Sequence, residues 1–175
     1  MNKRPNGPGQ HGGGRRKPKS NYGEQLLEKQ RLRFQYNLKE KKLRFYYQEA
    51  KRQKGNTGEQ LLKILEKRLD NVVYRAGFAP TIYAARQLVS HGHIQVNGKK
   101  VNIASFLVGM EDIVGLRSKS KEMALVKNSI SQTVPPVYMA YQGESEDSIR
   151  FTREPLAHEV PVVCRVQMVV EFYAK

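Results

Sequence analysis

The 36 residues RLDNVVYRAGFAPTIYAARQLVSHGHIQVNGKKVNI, at positions 68–103, restrict the fold more tightly than any other segment of the chain. Asn97-Gly98 falls between the alternating stretches HGHIQV and KKVNI, and both residues tolerate positive φ, which makes this the strongest local signal for a two-residue β-hairpin. Upstream, Asp70 is placed to start a short helix through Arg75, with Gly77 to end it in the left-handed conformation and Pro80 just beyond. Thr81 can cap a second helix whose Ile82, Ala85, Leu88 and Val89 face inward, leaving Arg86, Gln87 and His91 off that stripe. The spacing thus predicts helix, tight turn, helix and hairpin in one compact unit.

Around this unit the pattern is largely helical. Thr57, with Gln60 three residues on, reads as a capping box opening a helix lined by Leu61, Leu62, Leu65 and Leu69. From Asn21 a helix is expected with Leu27, Phe34 and Leu38 near one stripe and Lys29, Arg31 and Arg33 interleaved. Over 39–53, Leu43, Tyr46, Tyr47 and Ala50 recur at helical spacing and read as core, which leaves Tyr22 and Tyr36 as the better candidates for stacking on bases. The stretch LRSKSKEMALVKN reads as a charged helix, and strands are expected at 112–116, 137–141, 149–152 and 160–173. The fold class is therefore α+β.

Charge narrows the function. Lys and Arg number 31 against 16 Asp and Glu, a net charge of +15, and such a surplus seeks polyanions. Residues 1–60 carry +11, 61–117 carry +4 and 118–175 carry 0, so the first third should hold most of that affinity. Residues 1–20 are rich in glycine and proline, and too poor in apolar residues to offset the chain entropy of folding; they read as a flexible basic arm of the kind that orders on an RNA backbone.

Other chemistries are excluded one by one. The single cysteine, Cys164, forbids an intramolecular disulfide, fits a reducing compartment, and within VPVVCRVQMVVEFY reads as a small buried hydrophobe. His91 and His93 have no carboxylate or thiol close in sequence, so no metal is expected. GPGQHGGG lacks the Gly-Lys-Ser/Thr ending of a nucleotide P-loop. Arg165 and Gln167 interrupt the most apolar stretch, so no membrane partner is expected. No acid, base and nucleophile converge, and neither an enzyme nor a cofactor is expected. In contrast, Arg68, Arg75, Arg86, Lys99 and Lys100 come from consecutive elements and can surround one groove for phosphates. Asn71, Gln87, His91 and Gln95 add neutral donors and acceptors suited to 2′-hydroxyls and exposed base edges. A merely solvated basic face is the alternative.

The segment 68–103 closely resembles the RNA-binding module of the small-subunit ribosomal protein four family, a module also carried by unrelated RNA enzymes. The upstream text GPGQHGGGRRKPKSNYGEQLLEKQRLRFQYNLKEKKLRFYYQEA is similar to the region preceding the module in the ribosomal family itself, and the closing PVVCRVQMVVEFYAK is similar to the family's valine-rich ending. The resemblance implies a flexible arm over 1–20, a helical region over 21–60 with 161–175 packed back on it, and an RNA-binding module with a small antiparallel sheet over 61–160. It implies direct, early binding of small-subunit ribosomal RNA at a multi-helix junction, assembly nucleation and an influence on decoding fidelity. Neighbouring small-subunit proteins near the path by which messenger RNA enters, and messenger RNA itself, are the further partners implied, on a cytoplasmic or an organellar ribosome.

By the same resemblance Gln10, His11, Arg15, Arg16 and Lys17 would thread into RNA, and Tyr22, Gln25, Lys29 and Arg33 would contact it from the first helix. Arg68, Asn71, Arg75, Arg86, Gln87, His91, His93, Lys99 and Lys100 would carry the module's contacts, with Asp70 reserved for capping or for orienting Arg68. Bacterial relatives begin with a further segment, in some cases holding zinc through cysteines; this chain starts near PGQHG, so zinc is not expected. Two rivals share the module. A pseudouridine-synthase-type enzyme would need more than the 58 residues after Arg117, and a free-standing RNA-binding stress or rescue factor would not be expected to carry the basic helices of 21–60.

Overall fold

A computed structural model describes residue 10, residues 20–143 and residues 146–174. Helices α1 (Asn21–Gln35), α2 (Glu40–Arg52) and α3 (Thr57–Glu66) come first, then α4 (Leu69–Arg75) and α5 (Ile82–Ser90). Strands β1 (Ile94–Val96), β2 (Lys99–Lys100) and β3 (Val114–Leu116) follow, then α6 (Ser118–Lys121) and α7 (Ala124–Ile130). Strands β4 (Met139–Tyr141) and β5 (Ser148–Phe151) precede the last helix, α8 (Val166–Ala174). The five strands form one antiparallel sheet in the order β2-β1-β3-β5-β4. This is the α+β architecture that the sequence predicts.

The central unit forms as its spacing requires. Gly77 (φ 73°) ends the helix before the turn, the Thr81 hydroxyl accepts from the Ala84 N–H at 3.1 Å, and Asn97 and Gly98 sit at φ 51° and 76° in the hairpin turn. The first N–H groups of α4 are satisfied across the chain, Leu69 donating to the Phe106 carbonyl and Asp70 to that of Ala104.

Two apolar cores result. One gathers α4, α5 and the sheet around Leu69, Val73, Phe78, Ala85, Val89, Ile94, Val114 and Ile149. The other gathers Leu32 of α1 and Tyr36 at its C-cap, Leu43, Tyr46 and Ala50 of α2, Leu61 and Leu65 of α3, and Val169 of α8. Helix α3 thus sends its apolar stripe into the core of α1 and α2, although the sequence reading groups it with the module.

Three local expectations are corrected. The α3 cap is Asn56, whose side-chain oxygen accepts from the Gly58 N–H at 2.8 Å, while Gln60 donates to the Lys54 carbonyl instead of completing a capping box. The strand expected over 160–173 is in its second half the helix α8. Val166, Val169, Val170 and Tyr173 fall at i, i+3, i+4 and i+7, and α8 packs on α1 and α3, so burial overrides the β-preference of valine. Gly58 allows that approach, since a Cβ there would lie 3.2 Å from a Val166 methyl. On α1 the buried face is Gln25, Glu28, Lys29 and Leu32, while Phe34 is exposed and Leu27 only half-buried.

Candidate nucleic-acid interface

Two buried carboxylates stand between the two cores and take up Arg68, Arg75 and Arg86, the three arginines that the sequence assigns to the module's RNA contacts. Glu66, at the end of α3, accepts from Tyr36 Oη (2.6 Å), Tyr138 Oη (2.8 Å), Asn71 Nδ2 (2.8 Å) and Arg75 Nε and Nη2 (3.2 and 3.0 Å). Asp70 accepts from Arg68 Nε and Nη2 (3.0 and 2.5 Å) and from Arg86 Nε and Nη2 (3.2 and 2.8 Å). Arg68 Nη1 also donates to Tyr46 Oη at 2.5 Å, and Arg86 Nη1 to the Asn37 carbonyl at 2.8 Å, so both arginines reach back to the first region. Burial, reinforced by Glu66, pushes the Tyr36 and Tyr138 phenols well up, which keeps both as proton donors. Burial alone would lower Arg75, but the charge and hydrogen bonds of Glu66 outweigh it and the pKa rises.

This arrangement relocates several expected contacts. Arg68 and Asn71 are each 2% exposed and face Asp70 and Glu66 rather than solvent; Asp70 orients Arg68, as the sequence suggests. Arg75 is nearly covered, and the Arg86 side chain keeps a third of its surface open. The physical reason is a desolvated acid next to each: counting arginines along a sequence treats as free a charge that the fold has already paired. Tyr36, proposed for base stacking, is buried on Glu66.

The inner face of α1 is likewise occupied. Gln25 Nε2 donates to Glu171 at 3.0 Å, and Lys29 Nζ pairs with Glu40 at 2.7 Å; both residues are buried. Glu28 accepts the Arg165 N–H at 2.9 Å; burial pushes its carboxyl up, but that bond and Arg31 together hold it below the ordinary range. The Cys164 thiol donates to the Glu28 carbonyl at 3.4 Å, and burial with that carboxylate nearby pushes it up to about 12, the inert hydrophobe that the sequence suggests. Arg33 lies with its guanidinium 4.6 Å from the centroid of Phe34, and Tyr22 is exposed beside Phe172. Gln10 is exposed in a turn; His11, Arg15, Arg16 and Lys17 lie outside the described residues.

The open cations converge elsewhere, on the turn between α5 and β1. The Lys100 stem lies across Gly92 so closely that a Cβ there would sit 2.2 Å from Lys100 Cε. The Arg117 N–H donates to the His93 carbonyl at 3.0 Å, its guanidinium reaches the Gly92 carbonyl at 3.3 Å, and His93 Nδ1 lies 2.9 Å from Ser120 Oγ. Gln87, His91, Lys99, Lys100, Arg117 and Lys119 are exposed along this edge, and Gln95 is half-buried beneath it, opposite Lys100 in the ladder. Arg117 and Lys119 are not among the residues that the sequence assigns to RNA by number, although both fall in its charged stretch LRSKSKEMALVKN, read as a peripheral contact. The signal that could have found them is strand register: β3 runs antiparallel beside β1, so the residue after Leu116 must return to His93. Exposed ammonium and guanidinium groups on a sheet edge can hold phosphates, and the neighbouring amide and imidazoles can reach sugars and bases.

Among the described residues no three His, Cys, Asp or Glu side chains cluster as a metal site, and no helix is long and apolar enough to cross a membrane. Short helices, a small antiparallel sheet and a cationic edge define an RNA-binding module attached to a helical region. Residues 67–114 match the family described as the S4 domain, and residues 1–66 match the ribosomal protein S4/S9 N-terminal domain. The small ribosomal subunit protein uS4 of Micrococcus luteus is 48% identical over 100% of this chain and 86% of its own length, and that of Novosphingobium aromaticivorans 49% over 100% and 87%. The Pelagibacter ubique protein of the same name is 45% identical over 100% of this chain and 87% of its own length. The chain belongs to the uS4 family of small ribosomal subunit proteins, a structural family and not an enzymatic one.

Proposed function

We propose that the chain binds small-subunit ribosomal RNA directly, at a junction where several RNA helices converge, and that it does so early enough to nucleate assembly. The observation that carries this reading is the match along the whole chain, covering the helical region and the module in one sequence. A free-standing RNA-binding stress or rescue factor would need only the module. The cationic edge of Lys99, Lys100, Arg117 and Lys119 takes the phosphates, with Gln87, His91 and His93 beside them for sugars and base edges, and His11, Arg15, Arg16 and Lys17 extend the grip from the arm. Tyr22, exposed beside Phe172, and the half-buried Arg33 contribute from α1. Arg68, Asn71 and Arg75 act by holding the two regions in one geometry, and Arg86 divides its guanidinium between that clamp and the surface. Pre-set spacing of the two regions fixes the angle between the RNA helices they hold.

Neighbouring small-subunit proteins near the path by which messenger RNA enters complete the setting, and through it decoding fidelity; messenger RNA is the further partner. The ribosome concerned is cytoplasmic, with an organellar one as the alternative. The test is sedimentation of cell extract through a sucrose gradient after a high-salt wash, following the chain by immunoblot. Stoichiometric retention on the small subunit is expected. Recovery in the soluble fractions, or on large subunits alone, would remove the reading and favour the free-standing factor.

A further inference from the structure

A cleft opens between the C-terminal end of α1 and the start of α5. Phe34 and Tyr83 both line it, together with Tyr74, Arg75 and Pro161, and no acidic side chain is among its lining residues. Phe34 is 59% exposed and Tyr83 61% exposed, two large rings left open at one opening. The guanidinium of Arg33 lies over the Phe34 ring, 4.6 Å from its centroid, within cation–π range. Arg75 gives Nε and Nη2 to Glu66, while among the described residues its Nη1 has no hydrogen-bond partner. The cleft therefore offers two π surfaces and one charge-assisted donor.

That combination discriminates between ligands. An apolar peptide side chain would cover the rings but leave the guanidinium N–H unmatched. A lone phosphate would find a single nitrogen on a cation already committed to Glu66, and would use neither ring. A flat heterocycle with a carbonyl oxygen uses both, and in RNA recognition unpaired bases are the groups that splay out onto aromatic side chains. We propose that this cleft receives one unpaired base of the bound ribosomal RNA, stacked on Phe34 and Tyr83, with a base carbonyl accepting from Arg75 Nη1. The inference rests on the ribosomal-RNA reading above and adds a stacked base to the phosphate, sugar and base-edge contacts proposed there.

The test is filter binding of the full chain to a small-subunit rRNA transcript across a range of KCl concentrations, comparing wild type with Phe34→Leu/Tyr83→Leu and with Tyr83→Phe. Stacking lost from one base predicts roughly 5–150-fold weaker binding by the leucine variant at each salt concentration. The slope of log affinity against log salt should stay unchanged, because no phosphate contact is removed. Tyr83→Phe keeps the ring and should bind as wild type does. Equal affinity of wild type and the leucine variant, a shallower salt slope, or equal losses for Tyr83→Phe and the leucine variant would each overturn the cleft. Irradiation of the wild-type complex at 254 nm needs no variant: nucleotide adducts on peptides holding Phe34 or Tyr83 support the proposal, and adducts confined to other peptides refute it. A wild-type chain that does not bind the transcript at all would take down the ribosomal-RNA reading and this proposal together, an outcome distinct from wild type and variant binding alike.

Discussion

Helices α1 and α5 bury their inner faces by opposite means. Helix α5 buries Ile82 and turns Ala85, Leu88 and Val89 into the module's core, next to elements that immediately precede and follow it. Helix α1 buries Gln25, Glu28 and Lys29 beside Leu32, and each polar group finds its partner farther along: Glu171 and the Arg165 N–H at the C-terminal end, and Glu40 at the start of α2. Apolar burial near in sequence makes a helix that stands on its own pattern. Polar burial makes one that depends on the return of the C-terminal segment, because each desolvated group costs stability unless its partner arrives.

The junction between the regions combines both modes and should give the largest effect. Glu66→Gln preserves shape but leaves Arg75, and the two tyrosines that donate to Glu66, without their buried anion. An uncompensated charge of this kind costs about 3–5 kcal/mol, read as a lower urea midpoint at pH 7. A loss below about 1 kcal/mol would show that Glu66 does not hold the regions together. The next effect belongs to α1 alone. Lys29→Met keeps the apolar stem and removes the bond to Glu40, whose side chain is 43% exposed and can be rehydrated, so about 1–2 kcal/mol is expected in the same measurement. No change at all would mean that the polar face of α1 contributes nothing to stability, and the contrast with α5 would disappear.

The same contrast explains what was legible in the sequence. The α4–turn–α5–hairpin unit was legible because its caps, its glycine and its Asn-Gly pair act within a few residues, and its stripe is apolar. The stripe of α1 was not, since an apolar pattern search selects Leu27 and Phe34 and passes over Gln25 and Lys29, whose burial depends on residues more than ten positions away. For the candidate interface, composition does not tell which side chains the fold leaves open. Lys99 and Lys100 are open on the hairpin, whereas Arg68 and Asn71 are enclosed by Glu66 and Asp70, acids within five positions of them whose orientation no charge count reveals. Helix α8 was read as strand because valine content signals burial on a sheet or on a helix alike, and only the partner decides.

The smallest effect probes where the module's last strand hands the chain back to the first region. Glu154, just after β5, accepts from Lys67 Nζ at 2.8 Å and from Lys63 Nζ at 3.0 Å, tying that return to α3. The hydrogen bonds from Lys67 and then Lys63 hold its carboxyl at about 2, against about 4.3 for an unfolded glutamate. The native pKa is depressed, so the contribution of Glu154 is fully present above about 4.3 and is lost as pH falls through about 2, below which native and unfolded chains bind the proton alike. Nearly half of the Glu154 side chain is exposed, so solvent screens the pair and the contribution at pH 7 is small. Urea midpoints of wild type and Glu154→Gln at pH 7, 4, 3 and 2 should show wild type slightly ahead at pH 7 and the gap narrowing steadily, with little of it left at pH 2. A gap that stays constant over that range would mean that the two lysines do not act on Glu154 through its charge, leaving the return of the chain to α3 to the apolar contacts of α8.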